Sequence, residues 1–361
     1  MVARHLAFAA SLLGLSSGYT ISPASTNGFP NPNQQQLQTI SKQAGGLLSN
    51  AQPPATLSAA GVTNFQLIAF NENFEVAFFD SLIHNITNKV PGFAYESDHR
   101  SEAEIVEILK TVLAQEELHA LAAANVLNHF KAFSPSPCTY KFPTTNLSDA
   151  IQLAETFTSL VLGTLQDAQE SLASNGDFGP VRTVSSVIGQ EGEQNGLYRF
   201  ILDREPSAQP FLTTSVGPYA FSALQDFIVT CPFDVTQIGL PIFGALNVLT
   251  TAEPKDMYLS FSADISDFPQ YSANSDWTKL FVTYLSGQLV PISEPITNAK
   301  YSSGVLTFDA LFPYTENIME GLTIAGLTNS SNFATPDDMV AATLSAPGLI
   351  EVNDCISDYA N

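Results

Sequence analysis

Four stretches of this chain repeat an apolar stripe at helical spacing, and each stripe carries a glutamate near its middle. In one of them, Ile105, Leu109, Val112, Glu116, His119, Ala123, Val126 and Phe130 follow steps of four and three and so share one helix face. Six of these suit the interior of a helix bundle. The other two, Glu116 and His119, aim a carboxylate and an imidazole at the same inward point. A carboxylate alone in a dry core protonates or disrupts its helix, so a compensating partner is required. A metal ion is the leading candidate.

The remaining stripes predict three more long helices. One covers about 64–86, with Phe65, Ile68, Glu72, Val76, Phe79 and Ile83 in line. Another runs from near Ser148 to the Asn175-Gly176 break, with Ile151, Glu155, Thr158, Leu162 and Leu165 in line. The last spans 181–203 after Pro180, with Val184, Val187, Glu191, Gln194, Tyr198 and Ile201 in line. Ser101 followed by Glu104 forms a capping box that opens the helix bearing Glu116. The proline-rich connection from Phe133 to Leu147 can span about 45 Å at roughly 3.3 Å per residue. A helix of about 25 residues is only about 38 Å long. The connection can therefore return the chain to the far end of the helices, giving a one-crossover four-helix bundle. A fifth helix near Pro218–Val229 then brings Cys231 beside Cys138.

Cysteines and address agree with each other. Cys138, Cys231 and Cys355 are the only three, which in an oxidising compartment predicts a Cys138–Cys231 disulfide and one leftover thiol. Residues 1–18 read as a secretory signal: Arg4 and His5, an apolar run from Leu6 to Leu15, then Ser16, Ser17 and Gly18. That run is too short to span a bilayer, and no later segment reaches transmembrane length. The last residues, Asp358 to Asn361, offer no hydrophobic tail for a lipid anchor. Asn85, Asn146 and Asn329 each open a glycosylation sequon, so a secreted glycoprotein, extracellular or in a cell wall, is expected. A net charge of −22 argues against nucleic-acid and anionic-lipid partners.

At 361 residues two domains are expected. Residues 19–62, rich in Pro, Asn and Gln, read as an extended arm; 63–232 read as the helical bundle. Beyond Cys231, Leu246–Thr250, Tyr258–Ala263, Lys279–Leu285, Gly304–Phe308, Ile318–Gly326 and Met339–Leu344 read as strands of a small antiparallel β-sandwich over 233–361. The class is thus α+β, multidomain.

The run from Asn64 to Glu72, continuing to Phe78-Phe79, resembles the first helix of the fungal ferritin-like domain proteins. Gln115-Glu116-Glu117-Leu118-His119-Ala120 resembles their second-helix motif. Within that group the chain is most similar to the secreted late sexual development proteins, related to fungal stress-response and plant desiccation-related proteins. The Asn27–Pro32 arm and the Pro137-Cys138-Thr139-Tyr140 turn are similar too. The resemblance implies a ferritin-like bundle and a di-metal carboxylate site binding one or two iron or manganese ions. Carried over by position, the ligands are Glu72, Glu116, His119, Glu155 and Glu191, with Gln194 where the pattern calls for a histidine.

Two readings of these residues stay open. In one the chain is an extracellular metal-binding protein of fungal development or stress response. In the other it is a non-catalytic structural or cell-wall interaction protein whose site is a remnant, its glutamates protonated or water-bridged and joined with His119 and Gln194 in a buried hydrogen-bond network. Asp80 and His84 read as an exposed pair, Glu75 and Glu117 as outer or surface groups, and Tyr198 as a core residue. His99 and His129 have no converging partners in the pattern. No Ser-His-Asp, Walker or dinucleotide fingerprint is present.

Overall fold

The computed structural model describes residues 19–20, 27–95, 100–272 and 274–356. The stretch read as a signal, His99 and the final residues lie outside them. Among the described residues the fold is mixed helix and sheet, with the strands in antiparallel sheets.

The helical region opens with α1 (Gln34–Ala44), inside the arm expected to be extended. Asn33 and Gln36 form a reciprocal capping box, and Gly45 closes the helix in the left-handed conformation. Ile40 and Ala44 bury against Ala114 and Leu118, so a short amphipathic stripe overrides the polar composition around it. The four long helices follow as expected: α2 (Ala59–Thr87), α3 (Glu102–His129), α4 (Leu147–Ser174) and α5 (Phe178–Ile201). Ser58, Ser101 and Asn146 cap the first three through their side chains. The helix α2 packs on α3 and α4, and α4 packs on α5.

Their shared core is built from aromatics. Phe74 alone meets the rings of Phe78, Tyr140, Phe142, Phe157 and Phe227. Three short strands, β1 (Tyr19–Thr20), β2 (Thr139–Tyr140) and β3 (Ile228–Thr230), join in that order and tie the crossover to the segment after α6 (Gly217–Gln225). Beside them Cys138 and Cys231 form the disulfide, and Cys355 is free and exposed.

The sheet region holds two four-stranded antiparallel sheets. One has the order β4 (Asn247–Val248), β5 (Met257–Asp264), β9 (Val305–Phe312), β8 (Thr297–Ser302). The other has the order β11 (Thr343–Val352), β10 (Gly321–Thr328), β6 (Phe281–Ser286), β7 (Ile292–Pro295). Both contribute to one core that includes Leu259, Phe261 and Phe308 as well as Val282, Tyr284 and Leu327. Two expectations shift here. The segment 339–344 is not one strand: Thr335 and Pro336 start a helix, α7 (Pro336–Val340), and β11 begins only at Thr343. The polar strand β8 lies at an exposed edge, so it lacks the alternating apolar pattern that reveals a strand.

Every residue of β10 is buried. Ala325 and Leu327 face the sheet core, while Leu322 and Ile324 pack with Leu160, Val216 and Tyr219 of the helical region. A strand covered on both sides reads as a continuous apolar run rather than an alternation. At Gly326 a Cβ would stand 2.8 Å from the Tyr219 hydroxyl, so only glycine allows this approach. No described helix is long and apolar enough to cross a membrane.

Candidate metal centre

Helical spacing delivers three of the expected groups to one point from two helices, and α5 delivers a fourth. Glu72 from α2, Glu116 and His119 from α3, and Glu191 from α5 each offer a ligand atom, all within 4.8 Å of one another. His119 Nδ1 stands 3.0 Å from Glu116, 3.6 Å from Glu72 and 3.8 Å from Glu191. The three carboxylates are buried, while the imidazole retains 15% exposure and forms the edge of the group nearest solvent.

The hydrogen bonds do not account for this burial. Both oxygens of Glu72, both of Glu191 and one of Glu116 have no hydrogen-bond partner. Buried polar atoms are almost always paired, and an unpaired carboxylate is the most costly exception. Burial pushes the Glu72 carboxyl up to about 7, with His119 opposing and Glu116 reinforcing. Burial, then Glu72 and Glu116, drive Glu191 well above the carboxylate range. Burial disfavours the charged imidazole, but Glu72 and Glu116 outweigh it and raise His119 well above its usual value.

A cation answers all of these imbalances at once. Ligand oxygens and nitrogens sit roughly 2.0–2.2 Å from such an ion, so ligands sharing one ion lie within about 4.4 Å of each other, close to the spacing found here. Three carboxylates and one imidazole form a hard-to-borderline donor set suited to iron, manganese or zinc.

Two expected ligands are placed elsewhere. Glu155 is buried but not in the cluster: Arg199 of α5 and Arg204 just beyond it each donate to one of its oxygens at 2.9 Å. Arg204 also holds Glu351 of β11 at 2.9 Å, and Gln152 and Thr156 donate to the same carboxylate. Burial and Glu351 push Glu155 up to about 8 while the guanidiniums pull against that. Burial would raise Glu351 as well, but Arg204 together with the hydrogen bonds from Glu155, Thr156 and Gln152 outweighs it and leaves Glu351 lowered. Two guanidiniums and two carboxylates compensate one another, so Glu155 needs no metal. Gln194 is turned aside too: its amide donates to Gln115 at 3.1 Å and its carbonyl accepts from Tyr198 at 3.5 Å.

Other groups are more buried than their patterns suggested. Glu75, one turn beyond Glu72, is 2% exposed and faces the centre. Glu117 is 3% exposed; it accepts a bond from Asn27 at 2.6 Å, and burial pushes it up to about 7. Tyr198 is the core residue its stripe position predicts: fully buried, with its hydroxyl raised by burial and by Glu116, Glu75 and Glu191. The arginines were missed because nothing in the spacing links them to Glu155, and the second partner of Arg204, Glu351, lies far along the chain. The one available signal was that two of only 13 basic residues fall at 199–204.

This geometry fixes how the metal-free protein answers pH. Glu72 is raised when folded, so its contribution is fully present below the unfolded value near 4.5 and is lost as pH climbs through about 7. At roughly 1.4 kcal/mol per pH unit, Glu72 alone accounts for about 3 kcal/mol. Glu191, shifted the same way, adds with the same sign. Urea unfolding in chelator should therefore show greater stability at pH 5 than at pH 8, and loading with a divalent cation should remove that preference. Greater stability of the chelated protein at pH 8 would contradict the assignment.

No protein-family model matches the chain, and no curated protein is significantly similar to it.

Proposed function

We propose that this chain is a secreted metal-binding protein of the ferritin-like type, acting in fungal development or stress response, in which Glu72, Glu116, His119 and Glu191 hold a divalent cation such as iron or manganese. One observation carries the reading: five buried carboxylate oxygens without hydrogen-bond partners surround a single imidazole. A bound iron or manganese ion would supply positive charge and a one-electron redox couple there. The chain supplies the rest. Residues on α2, α3 and α5 position the donors, the aromatic core excludes water, and His119 forms the edge through which an ion is exchanged. The disulfide supports an oxidising address, and Asn329, exposed after β10, is a sequon open to modification.

The second reading, a scaffold at the cell wall with a remnant site, draws on the Glu155 clamp, where arginines take the place of a cation. Elemental analysis separates the two. Full-length protein from a secretory host, loaded with Mn(II) or with Fe(II) under anaerobic conditions and then dialysed, should retain at least one ion per chain. His119→Ala should lose it. Retention of only a small fraction of an ion by the unsubstituted protein would favour the scaffold.

A further inference from the structure

Resting on that metal-binding reading, we propose that α5 from Val181 to Gly192 is a gate: it unwinds locally, carries Glu191 away from the other three ligands, and so admits or releases the cation. The three carboxylates of the cluster are buried and only the imidazole keeps 15% exposure, so a hydrated ion reaches them only if an element moves. Of the three helices that supply ligands, α5 is the least suited to stay closed. Its six residues from Thr183 to Ile188 are β-branched or serine, and glycines follow at 189 and 192, all weak helix formers. Ser185 Oγ donates back to the Val181 carbonyl at 2.9 Å, a bond that competes with the helix ladder. Asp177, at the N-cap position, makes no side-chain bond to the first turn; its carboxylate accepts from Ser58 of α2 instead.

Packing does not repair this weakness. From Ser185 to Gln190 no residue is fully buried, and Val187 and Ile188 are half-buried. In α2 and α3, by contrast, the turns around Glu72 and Glu116 bury side chains on both sides of the ligand. The two glycines make the point sharper. A helical glycine often marks a close approach, as at Gly163, where a Cβ would stand 2.5 Å from the Thr213 carbonyl oxygen. At Gly189 and Gly192 a Cβ would meet nothing within 4 Å. They loosen the helix on both sides of Glu191 and gain no contact in return. Opening costs least where buried contacts are few and helix propensity is poor, and both conditions meet here. Beside the centre, Gln190 and Gln194 join α5 to α3 by donating to Gln115 at 3.0 and 3.1 Å, while both Glu191 oxygens lack a hydrogen-bond partner. A bound cation is then the link that holds Glu191 to the other helices. Glu191 lies 3.8 Å from His119, so its withdrawal widens the edge already nearest solvent.

The test is the kinetics of exchange. Alanine in place of glycine at an open helical position favours the helix by about fivefold in equilibrium. Gly189→Ala and Gly192→Ala should therefore each slow Mn(II) release into excess chelator about fivefold. Loading of the metal-stripped chain, followed by loss of the free Mn(II) paramagnetic resonance signal, should slow by the same factor. Affinity by equilibrium dialysis should stay unchanged, because a rarely open gate governs both directions alike. In the metal-free protein, amides 185–192 should exchange hydrogen faster than those at the middle of α4 and gain the same protection in each variant. Gly46→Ala, in the loop after α1 where a Cβ also meets nothing within 4 Å, should alter neither rate. Unchanged rates in both α5 variants of a protein that does bind Mn(II) would overturn the gate and leave the metal-binding reading standing. Slower release alone, with affinity tightened to match, would also overturn it, since the glycines would then act on the bound state. Failure of the parent chain to retain Mn(II) would overturn both readings.

Discussion

Replacing both Cys138 and Cys231 with serine is expected to lower the unfolding free energy of the helical region by about 4–5 kcal/mol. The disulfide closes a loop with a sequence separation of 93 residues, and loop-closure entropy grows with the logarithm of that length. The loop contains α4, α5 and α6, so without the bond the unfolded chain gains freedom over most of the helical core. The same bond anchors β2 to the segment after α6, where Tyr140 and Phe227 pack on Phe74. Urea unfolding followed by helical circular dichroism measures the difference between the oxidised parent and the double variant. A loss below about 1 kcal/mol would show that the crossover is held by its aromatic contacts alone.

Arg199→Met is expected to cost about 3–5 kcal/mol, because it removes one of the two guanidiniums on the buried Glu155 and leaves that oxygen with only a long hydrogen bond from Ser159 at 3.4 Å. Methionine preserves much of the side-chain volume, so the change isolates charge and hydrogen bonding from packing. It also removes the bond from the Arg199 Nε to the Glu205 carbonyl at 2.6 Å, which fixes the turn after α5. Adding Glu155→Gln in the same chain should recover a large part of the loss, since the uncompensated charge is then gone. The comparison requires all four members of the cycle under identical urea titration. Equal losses in the single and double variants would mean that the pair contributes through shape and not through charge.

Much of the helical region was legible because each long helix buries one face, and burial on one face is what periodicity records. Three of the four metal-cluster residues lay in the two stripes carrying Glu72, Glu116 and His119, and Glu191 was found in the same way. Glu155 shows where this reasoning stops. Its stripe position correctly placed it indoors, but periodicity is silent about which neighbour neutralises a buried charge. Those neighbours are Arg199 on the next helix and Arg204 just past its end, the latter shared with Glu351 on a strand at the other end of the chain. Glu75 fails for the opposite reason. It sits just off its stripe, and helix α2, buried on nearly every side at its middle, has no outer face there to receive it. In the sheet region the two-faced burial of β10 and the exposed edge of β8 both erase alternation, one by burying every residue, its threonines included, and the other by burying none.

Glu351 carries a consequence for descent. The final long strand supplies a carboxylate to Arg204, and residues 354–356 pair with 203–205 through backbone bonds. A foreign partner grafted after the fifth bundle helix would bring neither, nor a surface matching Leu322 and Ile324. The two regions are therefore poor candidates for shuffling between genes. A lineage that keeps these helices has to inherit this sheet with them, or rewrite the arginines at the join.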